Sequence, residues 1–404
     1  MDVKPVKVAL IGSGNISYTY LNTLTSGLQI VEMVGCSDLI PERSKARAEL
    51  FGIKQMTNEQ ILSDPEIEIV VNTTQLWNHN AVTKMILEAG KHAYSEKAMG
   101  HNYEGARENY DLAKRKGLFV GCAPDCYMGS AWQTARKLID DGYIGIPLIA
   151  YSMCMRGYGS NERPSSAMPD PMMGTHGTTI TYDMAGYYLN VLFNLFGPAK
   201  RVSGYSKVFN GGRSFVNTMH PDYGKPFTSR GGESVMLGSL EFENGVYGAL
   251  VLCSEAFNPE TPRVDIYGTE GHLTLPDPNL FGGWGNNVYL TRKGNPNETF
   301  KIPLTHGFSD TDPSVPAKSG KREPCHNSWR GIAVADMAYA IRRKRQPRSN
   351  GDMALHTVEI LDRIDKSNAD NKVYELKTRP ERPAMLTPGR YGPVAVMESA
   401  IDNC

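Results

Sequence analysis

Residues 6–17 read VKVALIGSGNIS, a short apolar run followed by a glycine turn and then by a segment that can form a helix. A strand, a glycine turn and a helix in this order are the context of a dinucleotide-binding fingerprint. In that turn Gly12 permits the tight bend, Gly14 lets the backbone approach a pyrophosphate, and the start of the helix offers N–H groups to the phosphates. Serine replaces the third glycine, so the turn alone is a weak signal.

An acidic residue beyond the second apolar run strengthens this interpretation. The run 30–36 stops just before Asp38. An acid about 20 residues beyond the glycines holds a ribose 2′-hydroxyl in dinucleotide folds. The alternative is a helix N-cap ahead of Pro41. Because a carboxylate repels a 2′-phosphate, Asp38 favours NAD over NADP, although Arg43 nearby keeps NADP open.

Apolar runs and helical segments then alternate as far as residue 122. Strands are predicted at 67–73, 92–95 and 118–122, and helices at 80–89 and 103–116. This alternation predicts a parallel, doubly wound α/β sheet. Ligands of such sheets lie beyond the carboxyl ends of the strands, which here means Gly12, Asp38, Thr73-Thr74, Glu96-Lys97 and Pro124-Asp125.

A second domain is predicted from residue 125 onward, where the pattern changes. A helix at 131–140 is followed by strands at 146–155, 200–209, 234–243, 246–254, 263–268 and 272–275. Asn244-Gly245 between two alternating runs is a strong hairpin signal, which indicates an antiparallel sheet in an α+β domain. The expected domains are 1–124, 125–378 and a proline-rich tail, 379–404, that wraps another subunit or is partly disordered.

The segment 281–327 shows little periodicity and is expected to be a long loop of the kind that forms lids, with one hairpin near 288–302. Two helices are predicted after it, at 329–344 and 353–368.

Residues 181–198 read TYDMAGYYLNVLFNLFGP and carry a polar stripe on an otherwise apolar helix. Asp183, Tyr187, Asn190 and Asn194 fall at i, i+4, i+7 and i+11, so they share one face. Either this stripe forms hydrogen bonds to a neighbouring loop inside the core, or it belongs to a functional site.

Composition and charge exclude several classes of function. Lys plus Arg and Asp plus Glu are each 43, so the net charge is zero and offers no footprint for nucleic acid or an anionic membrane. The seven cysteines include no CxxC pair, no metal site is predicted, and the thiols are expected to be free. With no signal peptide and no long apolar segment, the expected location is the cytoplasm.

Several motifs in the same order carry a resemblance to a known family. They are Gly12-x-Gly14-Asn15-Ile16, Asp38, residues 73–100 (TTQLWNHNAVTKMILEAGKHAYSEKAMG) and residues 183–197 (DMAGYYLNVLFNLFG). The chain resembles the family of glucose–fructose oxidoreductase and inositol 2-dehydrogenase (Gfo/Idh/MocA). The resemblance implies an N-terminal Rossmann domain, a C-terminal domain with an open, mainly antiparallel sheet, and oxidation or reduction of sugars, inositols and polyols with NAD or NADP.

The resemblance also assigns roles to residues, with three departures from the family pattern. The family's Glu-Lys-Pro signature appears here as Glu96-Lys97-Ala98. The family's threonine-proline segment appears without its proline but with His79, which would lie near the nicotinamide ribose. The family's Asp-x-x-x-His pair appears as Asp183 and Tyr187. Tyrosine at this position indicates a sugar-active subgroup. The fingerprint and the resemblance together give the cofactor-binding residues Gly12, Gly14, Asn15, Ile16, Asp38, Thr73, Thr74, His79, Glu96 and Lys97.

Alcohol oxidation by NAD needs a base for the hydroxyl proton, and a free tyrosine, with pKa about 10, needs a nearby cation to serve. We expect Lys97 and Tyr187 to form the proton-transfer pair with Asp183 orienting them; in a variant of this mechanism Lys97 is itself the base. The expected substrate-binding residues are Asp125, Tyr127, Arg156 and His176, although His176 equally fits the capping of a turn. Arg330 is a candidate for contacting a phosphate.

The sequence therefore predicts an NAD-dependent sugar, glycoside or cyclitol dehydrogenase with a small carbohydrate substrate. Two alternatives remain: NAD-dependent glycoside cleavage through a transient 3-keto intermediate, and a non-catalytic NAD-binding regulator. An open antiparallel sheet needs its exposed face covered, so a homodimer or homotetramer is expected.

Overall fold

A computed structural model describes residues 3–155, 180–208, 213–214, 223–227, 233–254, 256, 258, 260–261, 263–283, 287–310, 329–389 and 392–402 of the 404-residue chain. Within these ranges the elements form two large sheets and the helices that cover them.

The first sheet is six-stranded and parallel, with strand order β3-β2-β1-β4-β5-β6. Its strands are β1 (Val6–Ile11), β2 (Val31–Ser37), β3 (Lys54–Gln55), β4 (Ile67–Asn72), β5 (His92–Ser95) and β6 (Val120–Cys122). The helices between them are α1 (Asn15–Leu24), α2 (Pro41–Phe51), α3 (Asn58–Ser63), α4 (His79–Glu88) and α5 (Tyr103–Lys116). The predicted doubly wound sheet is confirmed.

The central strands of this sheet are apolar at almost every position, as strands covered on both faces must be. In β1 the side chains of Val6, Val8, Ala9 and Leu10 are fully buried. Helices pack on both faces of a parallel sheet, so these strands show continuous apolar runs without period-2 alternation. The carboxyl ends of β1, β2, β4 and β5 consequently open onto the same edge.

The second sheet is nine-stranded and mixed, with order β16-β15-β14-β13-β7-β12-β11-β8-β17. Only β7 and β12 pair in parallel among its described strands; the other neighbours are antiparallel. Its strands are β7 (Pro147–Met155), β8 (Ala199–Lys207), β11 (Val235–Phe242), β12 (Tyr247–Cys253), β13 (Arg263–Gly268), β14 (Gly271–Leu275), β15 (Val288–Arg292), β16 (Asn295–Ile302) and β17 (Tyr374–Glu375). A separate two-stranded pair comprises β9 (Arg213–Ser214) and β10 (Pro226–Phe227).

Both predicted hairpins of this sheet are present. Gly245, at φ +88°, closes the turn between β11 and β12, where its N–H donates to the Phe242 carbonyl. An L-residue side chain rarely adopts this φ, which explains glycine at the second turn position. The other hairpin joins β15 to β16 within the segment expected to be a loop.

Helix α7 (Ile180–Phe196) follows α6 (Ser130–Asp140) in the second domain and is buried on nearly every side. The C-terminal half of its polar stripe, Asn190 and Asn194, forms hydrogen bonds with neighbouring parts of the core. Asn190 Nδ2 donates to the Pro124 carbonyl at 2.9 Å, and Asn194 Oδ1 accepts from Gln133 Nε2 at 3.4 Å. The N-terminal half of the stripe, Asp183 and Tyr187, faces the first domain.

Two helices after residue 330 connect the two sheets. Helix α8 (Ile332–Arg343) packs on α1, and α9 (Gly351–Asp370) packs on both α5 and β8. Arg342 on α8 donates to the backbone carbonyls of Lys4 and Pro5 and to the carboxylate of Glu68. The chain therefore returns to its N-terminal domain after completing the second sheet.

The described residues of the predicted tail pack on their own chain. Helix α10 (Val394–Asp402) lies against α8, with Met397 and Ile401 fully buried. The buried Glu398 carboxylate accepts the N–H groups of Gln29 and Ile30, at 2.7 and 2.8 Å, and the Tyr339 hydroxyl. The sequence gives no clear signal of this helix because it directly follows a stretch with prolines at 380, 383, 388 and 393.

Within the described ranges, no helix is long and apolar enough to cross a membrane. The described cysteines are buried.

Candidate active site

The glycine turn after β1 lies directly against the loop after β4. Gly12 has φ +102°, and a Cβ added there would lie 2.7 Å from the Thr73 backbone. The Thr73 hydroxyl donates to the Gly12 carbonyl at 2.6 Å. Both the backbone conformation and the close approach therefore require glycine at position 12.

The N-terminus of α1 has the features of a pyrophosphate site. Its N-cap is Gly14, and no side chain in the described ranges caps this helix. A Cβ at Gly14 would meet nothing within 4 Å, so the backbone at this N-cap borders open space. Free N–H groups and the positive end of the helix dipole favour an anion there.

Asp38 connects the end of β2 to the glycine turn. Its Oδ2 accepts the Ser13 N–H at 2.7 Å, and its Oδ1 accepts the Ile40 N–H at 2.8 Å. The N-cap of α2 is Ile40, so Asp38 is not the cap considered as an alternative. Its half-buried carboxylate lies where an adenosine ribose meets the turn in dinucleotide folds.

Arg47, which the sequence did not single out, contacts the turn instead of Arg43. Its Nε donates to Ser17 Oγ at 3.1 Å and its Nη2 donates to the Gly14 carbonyl at 3.2 Å, whereas Arg43 is exposed. A residue about two turns into α2 gives no signal of this contact in the sequence, because the fold alone brings α2 beside α1.

His79 holds together the loops that follow β4 and β5. Its Nδ1 lies 2.8 Å from the Ala98 carbonyl oxygen and its Nε2 lies 3.0 Å from the Thr74 carbonyl oxygen. Burial lowers the pKa of this imidazole, although both carbonyl contacts oppose the change. Both ring nitrogens contact backbone carbonyl oxygens, so His79 joins these two loops, and its proximity to a ribose stays a prediction.

Glu96 is a buried carboxylate with its oxygens directed into the first domain. Its Oε1 accepts the Tyr20 hydroxyl at 2.9 Å, and its Oε2 accepts the Lys97 N–H at 3.0 Å. These contacts fix the chain at the end of β5, from which the Lys97 side chain extends toward α7. The peptide bond between Lys97 and Ala98 is cis.

Lys97 and Asp183 form an ion pair between the two domains. The ammonium donates to the Asp183 carboxylate and, at 3.0 Å, to its backbone carbonyl. Burial disfavours the charge on Lys97 most strongly, yet Asp183, Tyr187 and Glu96 together outweigh burial and raise the pKa of the ammonium. Lys97 is therefore a stable cation. Its side chain is 18% exposed and that of Asp183 is 43% exposed, so the carboxylate faces the opening.

Tyr187 lies between two cations. The Arg330 guanidinium donates to its phenol oxygen and lies 5.2 Å from the ring centroid, while the Lys97 Nζ lies 5.6 Å from the same centroid. Burial raises the pKa of the phenol above its usual value, and Arg330 and then Lys97 partly offset this rise. The sequence analysis predicted that Lys97 lies beside the phenol but proposed a phosphate contact for Arg330. The contact between Arg330 and Tyr187 could not be predicted because 143 positions separate the two residues.

Asp125 and Tyr127 occupy buried positions that do not support the predicted contacts with substrate hydroxyls. Asp125 Oδ2 accepts the N–H groups of Gly331 and Ala333, at 2.8 and 3.1 Å, at the start of α8. Burial raises the pKa of this carboxyl to about 6 against the effect of those amides. Tyr127 is also fully buried. Arg156 and His176 lie outside the described residues. Among the described residues, no group of three or more His, Cys, Asp or Glu side chains could hold a metal ion.

A parallel sheet with a glycine turn, an uncapped helix N-terminus and an acid at the second strand defines a dinucleotide-binding domain. Residues 6–123 match the family described as "Oxidoreductase family, NAD-binding Rossmann fold" (GFO_IDH_MocA), and residues 132–274 match "GFO/IDH/MocA C-terminal domain". Together these matches span well over half of the 404 residues. The chain belongs to the Gfo/Idh/MocA family, and its first domain is an NAD-binding Rossmann domain.

Its relatives differ in how much of the chain they share. An uncharacterised oxidoreductase of Schizosaccharomyces pombe is 27% identical over 198 residues, covering 48% of this chain and 52% of that protein. The scyllo-inositol 2-dehydrogenase (NAD(+)) of Bacillus subtilis is 22% identical over 279 residues, covering 67% and 73%. The chain spans about half the length of the two S. pombe relatives that it matches.

Among solved structures, levoglucosan dehydrogenase in complex with NADH and levoglucosan has a TM-score of 0.73 at 18% identity, covering 93% of this chain and 100% of that chain. At this identity the likeness shows a shared fold.

Proposed function

We propose that this protein is an NAD-dependent oxidoreductase that oxidises or reduces a ring hydroxyl or ketone of a sugar, glycoside or cyclitol by hydride transfer. One observation carries the proposal: the Lys97 ammonium, the Asp183 carboxylate and the Tyr187 phenol meet where β5 ends and α7 begins. The inositol dehydrogenase among the relatives supports the substrate class.

The first domain holds the cofactor through backbone and carboxylate groups. The α1 N-terminus and the open space beside Gly14 receive the pyrophosphate, and Asp38 receives the adenosine ribose. When bound, NAD supplies the hydride acceptor or, reduced, the hydride donor. The Asp38 carboxylate favours NAD over NADP because it would repel a 2′-phosphate.

Tyr187 exchanges the proton and Lys97 acts as a fixed cation. In oxidation the phenolate oxygen accepts the hydroxyl proton, and in reduction the phenol donates it to the carbonyl oxygen. The variant in which Lys97 is the base receives less support, because the raised pKa of its ammonium keeps it protonated. Lys97 instead donates a hydrogen bond to the reacting oxygen.

Asp183 orients this pair. Its carboxylate holds the ammonium beside the Tyr187 ring, and its exposed side remains accessible to a substrate hydroxyl. A carboxylate that binds both a lysine and a hydroxyl fixes the distance between the reacting carbon and the proton acceptor.

The outer face of the second sheet supports a homo-oligomer. Neighbouring strands place Tyr247, Ile149 and Tyr267 in one register row and Ala249 and Tyr151 in the next. The large side chains of these rows are 41–59% exposed. An apolar and aromatic surface of this kind on an ordered sheet is typical of a protein interface. We propose that a second copy of this chain covers it.

The test is the absorbance of NADH while the purified protein and NAD are offered inositols, free hexoses and glucosides. Reduction of NAD confined to one of these classes would support the proposal, and Lys97→Met is the matched inactive control. Binding of NAD without turnover of any class would contradict it and favour a regulator. Release of free reducing sugar without net NADH would instead favour redox cleavage of a glycoside.

A further inference from the structure

Arg330 is a buried cation whose described hydrogen-bond partners are uncharged. Its Nη1 donates to the Tyr187 oxygen, and its Nη2 donates to the carbonyl oxygen of Asn279 at 3.1 Å and to the Asn279 side-chain oxygen. A buried charge with neutral partners is costly to keep. The nearby carboxylates of Glu96, Asp125 and Asp310 also act on this charge, but the guanidinium is hydrogen-bonded directly to the Tyr187 oxygen, where the proposed reaction forms a negative charge.

We propose that Arg330 is a positioning residue for proton transfer, which directs the Tyr187 O–H toward the substrate and stabilises the phenolate form. This inference rests on the proposed function of the same site. It gives Arg330 the role that the sequence analysis assigned to Lys97.

The direction of the O–H bond follows from the chemistry of arginine. A guanidinium has only N–H donors and no acceptor, so it occupies a lone pair of the phenol oxygen and cannot receive the phenol proton. Asn279 accepts hydrogen bonds from Nη2, the other terminal nitrogen of the guanidinium, and these bonds fix the orientation of the guanidinium against Tyr187. The proton must therefore point away from Arg330, where an acceptor on the substrate can meet it.

The charges around the phenol favour Arg330 over Lys97 as the stabilising cation. The groups facing Tyr187 are Arg330 before α8, Lys97 and Glu96 after β5, and the Cys126 thiol. Lys97 is already paired with the Asp183 carboxylate, which cancels much of its field. Arg330 is bonded directly to the oxygen on which the negative charge appears.

The proton and electron pair are conserved in this step. In oxidation the substrate O–H bond breaks as a new O–H bond forms on the phenolate, while the C–H electron pair leaves as hydride to NAD⁺. In reduction the phenol O–H breaks, its proton joins the carbonyl oxygen, and NADH supplies the hydride. The phenolate stands beside Arg330 before oxidation and after reduction.

A titration of this single phenol tests the proposal without requiring a substrate. The full chain would carry 3-fluorotyrosine at position 187, introduced by stop-codon suppression, and the ¹⁹F resonance would be followed against pH with NAD bound. Arg330→Gln is expected to raise the titration midpoint by about one pH unit or more, as loss of an adjacent opposite charge does. Arg330→Lys keeps the charge and is expected to stay closer to the wild type.

Two controls separate charge from packing. Arg136→Gln removes an equally buried arginine, since Arg136 and Arg330 are each 8% exposed. Arg136 donates to the backbone carbonyls of Asn194, about two turns along α7 from Tyr187, and of Pro383. Asn279→Ala changes no charge but removes a side-chain contact that holds the Arg330 guanidinium, so it is expected to raise the midpoint by less than Arg330→Gln does. Arg136→Gln is expected to leave the midpoint unchanged, and circular dichroism checks that each variant is folded.

A midpoint in Arg330→Gln that does not move, or that moves equally in Arg136→Gln, would overturn the inference. An Arg330→Lys midpoint that lies about one pH unit or more above that of the wild type would also overturn it, and this measurement remains if the glutamine variant fails to fold. Turnover of a sugar together with an unmoved midpoint would reject the role of Arg330 alone. A shifted midpoint in a protein that turns over no carbohydrate would support that role and reject the proposed function.

Discussion

The Lys97 ammonium and the Asp183 carboxylate form an ion pair that joins the end of β5 to the first turn of α7. One partner belongs to the NAD-binding domain and the other to the second domain, so the pair exists only when the two are assembled. The partial burial of the ammonium makes Asp183 the main support of its charge.

Asp183→Asn is expected to lower the pKa of Lys97, because burial then opposes the charge without its largest counterweight. We expect kcat for carbohydrate oxidation to fall about 10²-fold, within the range of proton-transfer groups. Steady-state kinetics of Asp183→Asn, Lys97→Met and the double variant measure this. The losses should be far from additive because the residues act as a pair. Glu66→Gln, which removes the exposed ion pair with Lys7, is the control; strictly additive losses would contradict the pairing.

Tyr187→Phe should reduce kcat by about 10²- to 10⁴-fold, the usual contribution of a general acid or base. Burial holds the pKa of the wild-type phenol above its usual value, so most molecules carry the phenol and not the phenolate at neutral pH. Oxidation by the wild type should therefore rise with pH, about tenfold per unit below that pKa. Initial rates across alkaline pH measure the rise, and its persistence in Tyr187→Phe would assign the proton to another group.

Asp38→Ala should shift the cofactor preference toward NADP. The substitution removes the charge that repels a 2′-phosphate and the ribose acceptor, and we expect kcat/KM for NAD relative to NADP to fall about tenfold or more, a difference of about 1.4 kcal/mol. The exposed Glu42 on α2 provides the control, since Glu42→Ala removes an acid nearby without touching the glycine turn. An unchanged ratio in Asp38→Ala would place the ribose elsewhere.

Glu398→Ala should destabilise the fold by about 3 kcal/mol, because it leaves two buried backbone N–H groups and a tyrosine hydroxyl without their acceptor. Urea unfolding measures the loss, and limited proteolysis should release the tail. The exposed Glu375 on β17 is the matched position, where Glu375→Ala should change stability by no more than about 0.5 kcal/mol. A tail that stays protected in Glu398→Ala would show that its apolar contacts suffice.

Tyr247→Glu on the outer face of the second sheet should convert the proposed oligomer to a smaller species. The side chain is 59% exposed, so a charge there costs the monomer little but repels a second copy. Light scattering after gel filtration gives the mass. Leu39→Glu, at an 88% exposed position in the first domain, should leave the mass unchanged. A wild-type protein that is already monomeric would refute the proposed interface.

The fold followed from periodicity, which is a local property of the chain. Continuous apolar runs such as β1 and alternating runs such as β11 predicted the two sheets, and Asn244-Gly245 predicted a turn. The polar stripe on α7 was also visible in the sequence. The sequence did not show which residues of the stripe bind other parts of the core. Asn190 and Asn194 proved to bind Pro124 and Gln133, partners that no spacing within the helix reveals.

The long-range contacts of the site were harder to predict for the same reason. Arg330 reaches Tyr187 because Asp125 receives the backbone N–H groups that begin α8, an arrangement that joins three distant parts of the sequence. Asp125, expected to meet the substrate, is hydrogen-bonded to the backbone that follows Arg330. Charge and residue type alone could not distinguish these two roles.

The return of α8 to α1, followed by α10 on α8, means that the nucleotide-binding half is not a self-sufficient folding unit. A fragment ending at residue 124 would lack the Glu398 carboxylate for Ile30 and the cover that Gly331 gives to Tyr20 and Leu24. Segments 368 positions apart in the sequence must meet before this half is complete, so a newly made chain cannot finish its first domain until Glu398 has left the ribosome.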